Sequence, residues 1–240
     1  MFTLNPDLAR DRLRAEFERS RQVQITPFID ERQATLLAAS LRNDPSWREM
    51  ISAGDKVFEL DRVAQSSLDE NRRAALEAAI AAGAREGFQF RYESIRVPDE
   101  IRSRAGNQTL LNQFAEFMSS APVLDLMRDI TGADDIAFAD AQATAYRPGD
   151  FLSAHDDAVD GKGRRAAYVY GLTEAWQIEW GGLLMFHGDD GNVDRALVPR
   201  FDCLNLFSVP QMHSVSLVAP WAMPPRLSVT GWLRSGSSGN

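Results

Sequence analysis

The sequence predicts an α+β fold in which helices from the first half pack outside a jelly roll formed by the second half. In the first half, apolar residues recur at helical spacing behind residues that cap helices. After Ile136, short alternating stretches are separated by turns such as 160–163 and 189–191. The chain has 240 residues and 44% hydrophobic content. That is enough for one substantial core, so one domain is expected.

Five helices are predicted before residue 135. Their expected first or capping residues are Asn5, Asp30, Leu68, Asn107 and Pro122. Gly87 and Gly132 are expected to end the third and the fifth helix, because glycine readily adopts the conformation of a helix end. Residues 1–135 are therefore expected to form a mainly helical support region. Residues 136–234 are expected to form the strands that carry the site, and residues 235–240 a flexible tail.

Alternation in three stretches predicts strands and the direction of their side chains. In the last stretch, Arg226, Ser228 and Thr230 fall on one face, and Leu227 and Val229 on the other. A strand that turns three polar groups to one side indicates a pocket. Two earlier sets alternate in the same way: Gln142, Thr144 and Tyr146, and Phe88, Phe90 and Tyr92. The first set again turns polar groups to one face, whereas the aromatic set is expected to lie in the core.

Three residues have the chemistry of a mononuclear iron(II) site: His155, Asp157 and His213. The chain has only three histidines, and two of them fall in this set. Two imidazoles and one carboxylate on one face of six-coordinate iron(II) leave adjacent positions free for a co-substrate and dioxygen. His155 and Asp157 can come from one extended segment, because residues two apart in a strand point to the same side. The second histidine must then come from a later strand.

Arg226 follows the second histidine after a stretch that fits a short loop and a neighbouring strand. Its planar guanidinium can bind a carboxylate through two parallel hydrogen bonds. Arg226 could therefore hold the far end of a dicarboxylate whose near end chelates the metal.

The run from Tyr146 to Asp157 resembles the Tyr-x-x-Gly…His-x-Asp segment of prolyl-hydroxylase-like 2-oxoglutarate and iron(II) dioxygenases. Later pieces continue the likeness: Trp180-Gly181-Gly182-Leu183-Leu184, Asn205-Leu206-Phe207, His213-Ser214-Val215, and Arg226 through Trp232. The resemblance is closest to the branch containing the eukaryotic prolyl hydroxylases that modify a small-subunit ribosomal protein. It covers about residues 20 to 234, with the strongest motifs from Tyr146 onward.

The resemblance implies a fold, a reaction and a set of roles. The fold is a double-stranded β-helix, a cupin-like jelly roll with the metal in its open mouth. The reaction is hydroxylation of a prolyl residue in a protein, with 2-oxoglutarate and dioxygen consumed and succinate and CO2 released. Fe(II) is the implied metal, and ascorbate is a candidate further cofactor. The implied metal ligands are His155, Asp157 and His213; the residues implied to contact 2-oxoglutarate are Arg226, Tyr146, Ser228 and Thr230.

One position departs from the family pattern. Many relatives carry a tyrosine that reaches 2-oxoglutarate on the strand after His-x-Asp, where this chain has Gly171. Tyr168 and Ser228 are the candidates to replace that tyrosine.

Three alternatives stand beside this interpretation. His187-Gly188-Asp189 is a second His-x-Asp, but its turn-rich surroundings predict a solvated hairpin tip. The enzyme could hydroxylate a free amino acid or another small molecule instead of a protein. A non-catalytic barrel that binds a metal or ligand is the alternative outside enzymology. Halogenation is disfavoured, because related halogenases replace the carboxylate that Asp157 supplies.

Composition limits the partners and the compartment. A formal net charge of −8 and a pI near 5.0 argue against a direct nucleic-acid binder and fit a basic peptide substrate. The single cysteine, Cys203, excludes an intrachain disulfide and fits a reducing interior. No membrane association is expected, since neither a spanning segment nor a signal peptide is recognisable, and the expected location is the cytoplasm. Two polar loops, 95–106 and 158–165, are expected to contact the substrate.

Overall fold

An antiparallel sheet that curls back on itself is the centre of the computed structural model, which describes residues 2–53, 56–99 and 109–236. Its strands are β1 (Gln22–Ile25), β2 (Arg48–Ala53), β3 (Lys56–Asp61), β4 (Phe90–Arg96), β5 (Ile136–Ala139), β6 (Gln142–Tyr146), β7 (Phe151–His155), β8 (Arg164–Gly171), β9 (Leu184–His187), β10 (Val193–Leu197), β11 (Cys203–Ser208), β12 (His213–Val215) and β13 (Arg226–Ser235). Neighbouring strands follow the order β1-β11-β8-β13-β6-β4-β7-β12-β9-β10.

Strand β4 is where the two halves of the sheet meet. Its residues 93–96 pair with β6, and its residues 90–91 pair with β7. Side chains from the two halves then face each other, as the rings of Phe186 in β9 and Phe207 in β11 show with centroids 5.2 Å apart. The hairpin of β2 and β3 extends the sheet from β4, and β5 pairs with the end of β13.

Six α-helices are described, and four of them bury apolar side chains against the outer face of the sheet. The helices are α1 (Arg10–Ser20), α2 (Glu31–Arg42), α3 (Arg62–Ser66), α4 (Glu70–Glu86), α5 (Leu110–Met118) and α6 (Ala121–Thr131). The largest core joins Leu37 of α2, Phe114 of α5 and Met127 of α6 to Tyr170 of β8 and Val229 of β13. This core leaves the opposite face of β6, β8 and β13 to form the wall of a cavity.

The jelly roll with helices outside, predicted from the sequence, is confirmed. Its strands reach further back along the chain than expected, because β1 to β4 all lie before residue 135. The region predicted as mainly helical support therefore supplies part of the sheet and part of the cavity wall.

The helix ends follow the capping predictions in most places. Asp30 caps α2, with its carboxylate accepting from the backbone N–H groups of residues 32 and 33. Gly87 follows the end of α4, and Gly132 follows α6 with φ of 70°. Both glycines thus lie where a helix stop was predicted.

The predicted start of the first helix is wrong, although the helix itself is present. Helix α1 begins at Arg10, and Asn5 instead folds a turn, accepting from the N–H of Asp7 and donating to the carbonyl of Pro27. An asparagine before a proline favours such a turn as readily as a cap. Helix α5 has Thr109 as its cap, and the predicted cap at Asn107 lies outside the described residues.

At the end of the chain, Ser235 is still tied to the sheet, with its N–H donating to the carbonyl of Gly163 at 2.8 Å. Of the predicted flexible tail, residues 237–240 lie outside the described ranges. Within those ranges, none of the helices combines the length and the apolar character needed to cross a membrane.

Candidate active site

Two neighbouring strands bring the two histidines together. Strand β12 lies between β7 and β9, and its register sets His213 opposite His155. The two imidazole centroids are 4.1 Å apart. Phe186 and Phe207 pack against the ring of His213, which is buried. Asp157 lies two residues after the end of β7, so this strand pair and the segment that follows β7 bring the three predicted metal ligands together.

The imidazoles are oriented by backbone carbonyls. The Nδ1–H of His155 donates to the carbonyl of Ser153 at 3.0 Å, and that of His213 to the carbonyl of Gln211 at 2.7 Å. Each ring therefore presents Nε2 to Asp157, at 3.5 Å from Oδ1 for His155 and 3.4 Å from Oδ2 for His213. The three ligand atoms lie within 4.8 Å of one another, which is compact enough to hold a metal ion.

The pKa values of His213 and Asp157 are shifted toward the protonation states that bind a cation. Burial and the neighbouring His155 lower the pKa of His213 to about 4, so its ring is neutral near pH 7. Burial alone would raise the pKa of Asp157, but His155 and His213 outweigh it and the pKa is lowered. A neutral imidazole and an ionised carboxylate are the protonation states that a metal requires.

A buried arginine lies in the same cavity. Arg226 begins β13 and is only 4% exposed. Its Cζ lies 4.9 Å from the ring centroid of Tyr146, and burial lowers its pKa. Among the described residues no carboxylate forms an ion pair with Arg226, and its Nη1 has no hydrogen-bond partner. An unpaired buried cation is costly, and the arrangement fits a missing anionic ligand.

A cavity of about 370 Å³ joins the histidines to Arg226. Its wall from β6 carries the alternating polar set Gln142, Thr144 and Tyr146, and β13 adds Arg226 and Thr230. Ser228 does not line the cavity, because its hydroxyl is buried and hydrogen bonded to Thr144 at 2.8 Å. The three clustered ligands fit a metal ion, and Arg226, with Tyr146 and Thr230 in the same cavity, fits the far end of a dicarboxylate.

The glycine that departs from the family pattern is required by its surroundings. A Cβ at Gly171 would lie 2.1 Å from the carbonyl oxygen of Arg200. No tyrosine fits there without moving the backbone. Tyr168 lines the cavity with part of its ring, while its hydroxyl donates to the carbonyl of Asp140 at 2.7 Å. That hydroxyl is directed at the Asp140 backbone.

The aromatic set that runs from Phe88 into β4 was expected in the core, and this prediction is wrong. Phe88, Phe90 and Tyr92 all line the cavity, and Phe88 is 52% exposed. Their rings follow one another at centroid distances of 5.7 and 5.3 Å, and Phe88 lies 5.6 Å from His155. Strand β4 turns this face to the barrel interior because it joins the two halves of the sheet. The signal that could have identified them is their alternation beside a polar set on the next cavity strand.

Other predicted positions lie apart from this cluster or at its rim. His187 hydrogen bonds to the hydroxyl of Ser214 at 2.7 Å, within a hairpin closed by Gly188 and Asn192, and does not join the three ligands. From the loop 158–165, the cavity is lined by Ala158, Val159 and Arg164. None of residues 95–99 lines it, and residues 100–106 of the other predicted substrate loop lie outside the described ranges.

Sequence comparison finds a family likeness in the part of the chain that holds this site. Residues 141–234 match the model of the 2OG-Fe(II) oxygenase superfamily. This stretch of the chain is therefore similar to a 2OG-Fe(II) oxygenase domain. The match includes His155, Asp157, His213 and Arg226, and it confirms the family resemblance predicted from the sequence. This family implies Fe(II) and 2-oxoglutarate.

One curated protein that is similar to part of this chain is a prolyl hydroxylase. The mouse prolyl 3-hydroxylase OGFOD1 is 30% identical over 110 residues, which are 43% of this chain and 20% of that protein. The chain thus matches only about a fifth of the length of this curated relative.

Solved structures share the fold over nearly the whole chain. A Pseudomonas putida prolyl-4-hydroxylase is 21% identical with a TM-score of 0.59, covering 95% of this chain and 99% of that one. A Trichoplax adhaerens prolyl hydroxylase, solved with a hypoxia inducible factor peptide fragment, is 16% identical with a TM-score of 0.61. That match covers 94% of this chain and 89% of the other.

Proposed function

We propose that this protein is an Fe(II)- and 2-oxoglutarate-dependent dioxygenase that hydroxylates a prolyl residue of a protein substrate. The observation that carries the proposal is Arg226, a buried cation without a carboxylate partner, in the cavity that also contains the three clustered ligands. One dicarboxylate can neutralise the arginine and chelate a metal at the same time. Each turnover converts 2-oxoglutarate, dioxygen and a prolyl C–H into succinate, CO2 and a hydroxyprolyl group.

In this proposal His155, Asp157 and His213 hold the metal. The carbonyls of Ser153 and Gln211 fix both rings with Nε2 toward the ion, and Asp157 supplies the negative charge. Bound Fe(II) supplies the dioxygen chemistry that oxidises 2-oxoglutarate and then the substrate. The protein's own part would be to hold the three ligand atoms close together beside the cavity that reaches Arg226.

Arg226 binds the distal carboxylate of 2-oxoglutarate through a charge-assisted pair of hydrogen bonds. Tyr146 covers one side of the guanidinium and provides a further hydroxyl, and Thr230 lines the same part of the cavity. Ser228 acts indirectly, because its hydrogen bond fixes the cavity-lining Thr144. Burial raises the pKa of Tyr146, so its hydroxyl stays protonated and can donate to a carboxylate.

The aromatic set that runs from Phe88 into β4 supports a prolyl peptide as substrate. Phe88 and Val159 are about half exposed at the rim, and Phe90 and Tyr92 continue inward. Proline-rich segments dock on aromatic grooves, because the rigid pyrrolidine ring loses little entropy on binding. Prolyl hydroxylation is also the activity in the names of the mouse and Pseudomonas putida relatives.

The first test is succinate formation. Purified protein with Fe(II) and 2-oxoglutarate should form succinate slowly without substrate, and Asp157→Ala should remove this activity. Asp160→Ala is the matched control, since Asp160 is an exposed acid of the same loop. Succinate formation that survives Asp157→Ala would contradict the metal assignment.

The second test concerns the substrate. Cell proteins incubated with the enzyme should gain one oxygen atom at proline, detected by mass spectrometry of peptides. Phe88→Ala should raise the KM for a prolyl peptide while leaving substrate-free succinate formation unchanged. Hydroxylation of free proline or another small molecule, with an unmodified proteome, would favour the small-molecule alternative.

The acidic charge of the chain supports a basic segment beside the target proline. Prolyl peptides with basic flanks should have a lower KM than peptides with acidic flanks at low salt, and the difference should shrink at high salt. Equal KM values at both salt concentrations would remove the preference for basic peptides.

A further inference from the structure

Asp157 has a backbone conformation that an L-residue rarely adopts. Its φ is 64°, in the left-handed region, two residues after β7 ends. Holding a residue other than glycine there costs on the order of 1–3 kcal/mol unless its surroundings enforce it. The conformation matters because it turns the Asp157 carboxylate back toward His155 and His213.

Arg164 is the residue that contacts this strained position. Its Nη1 donates to the backbone carbonyl of Asp157 at 2.8 Å and lies 3.8 Å from the Oδ1 of the same residue. One guanidinium therefore contacts both the backbone and the carboxylate of Asp157. The side chain of Arg164 is 16% exposed and that of Asp157 is 9% exposed, so water screens this contact little.

Trp232 fixes the guanidinium from the other side. The Cζ of Arg164 lies 3.5 Å from the centroid of the Trp232 ring, a stacking distance. Trp232 belongs to β13, which pairs with β8 beside it, and its backbone N–H donates to Asp140 at 2.6 Å. The Arg164 guanidinium is thus held between Trp232 of β13 and Asp157, which lies at the start of the segment joining β7 to β8.

We propose that Arg164, supported by Trp232, is a positioning residue that sets the orientation of Asp157 for metal binding. The inference rests on the proposed function of the three-ligand site. Arg164 falls in the loop predicted to contact substrate, but its contacts are directed at Asp157. A tether that only stabilised the loop would affect the melting temperature alone, whereas a positioning residue also determines metal affinity.

The test is a titration of Fe(II) into the protein without oxygen or 2-oxoglutarate, followed by calorimetry. Arg164→Met should weaken Fe(II) binding by about 10- to 100-fold, the range seen when groups that orient metal ligands are removed. Arg164→Lys keeps the charge but cannot stack flat or donate as a fork, so it should recover only part of the affinity. Arg165→Met is the matched control, because the neighbouring Arg165 pairs with the exposed Asp135 instead.

Each measurement is made at a temperature where circular dichroism shows the variant to be folded. Wild-type Fe(II) affinity in a folded Arg164→Met would overturn the inference. If that variant does not fold, Trp232→Phe replaces it, with a smaller loss of affinity expected and unchanged affinity again overturning the inference. Failure of the proposed function appears differently, as a wild-type protein that binds no Fe(II) or forms no succinate.

Discussion

Arg164 and Arg226 are two arginines that line one cavity and differ in what they contact. Both guanidiniums lie over an aromatic ring, Trp232 at 3.5 Å and Tyr146 at 4.9 Å. Arg164 also has the carbonyl and carboxylate of Asp157 within reach. Arg226 is more deeply buried, and no described residue supplies it with a carboxylate.

The difference distinguishes an arginine that contacts protein groups from an arginine that is available to bind a ligand. Burial lowers the pKa of both arginines, but Asp157 and Asp140 oppose this for Arg164, whereas only Tyr146 opposes it for Arg226. The charge of Arg164 is compensated within the protein. That of Arg226 is left for an anion to compensate, and the two arginines should therefore respond oppositely to replacement.

The largest expected effect is on 2-oxoglutarate binding. Arg226→Met should raise the 2-oxoglutarate requirement of succinate formation about 100-fold or more, since hydrogen bonds to charged groups contribute ~1.5–3 kcal/mol each. Fe(II) affinity should stay near the wild-type value, because the three ligands are untouched. The 2-oxoglutarate requirement of Arg226→Lys should lie between those of the wild type and Arg226→Met, because lysine keeps the charge but cannot form two parallel hydrogen bonds. Equal loss of Fe(II) and 2-oxoglutarate binding would show that the two ends of the site are not separate.

A smaller effect of opposite sign is expected on stability. Without ligands, Arg226→Met should raise the free energy of unfolding by about 1–3 kcal/mol, because an uncompensated buried charge is replaced by an apolar side chain. Arg164→Met should lower it, since Asp157 loses its partner. Denaturation in urea measures both. Destabilisation by both replacements would end the distinction between the two arginines. Added 2-oxoglutarate should stabilise only proteins that retain Arg226.

The smallest effect extends the comparison to a buried acid. Asp150 is 5% exposed, and burial raises its pKa to about 7, although its carboxylate accepts from the N–H of Arg147 at 2.8 Å and lies 3.6 Å from Arg91. Because the folded state keeps a proton that the unfolded chain has released, this contribution to stability is present below about pH 4 and is lost as the pH rises through about 7.

Asp150→Asn should remove that loss. Between about pH 5 and pH 8, the free energy of unfolding of the wild type should fall by on the order of 1–3 kcal/mol more than that of the variant. Urea denaturation at several pH values gives both slopes, with Asp160→Asn as an exposed control. Parallel slopes would mean that Arg91 and Arg147 already compensate the ionised carboxylate.

The metal ligands and Arg226 could be proposed from the sequence because each depends on residue type and local spacing. His155 and Asp157 are two residues apart, although Asp157 lies beyond β7 with a φ of 64° and not in the extended segment that was predicted. The alternation that begins at Arg226 gives the direction of its side chain. The family resemblance added the roles. The helix ends at Asp30 and Gly132 could also be predicted, since helix ends are determined by a few neighbouring residues.

Features that depend on contacts between residues far apart in the chain could not be predicted from local sequence patterns. The central residues of β2 are all buried, so it shows no alternation, and β1 is only four residues long. Phe88 looked like a core residue because alternation does not say which face of a strand meets the helices. The stacking of Arg164 on Trp232 joins residues from different strands, so no local sequence pattern predicts it.

Because His213 pairs with His155, the geometry of the site depends on the register between β12 and β7. Strand β12 has only three residues and is held by β7 on one side and β9 on the other. A slip of one residue would turn His213 to the opposite face and bring Ser214 or Met212 into its place. An ion bound by both histidines would link two strands that are far apart in the chain. Ion affinity would therefore report on whether these strands are paired in the correct register.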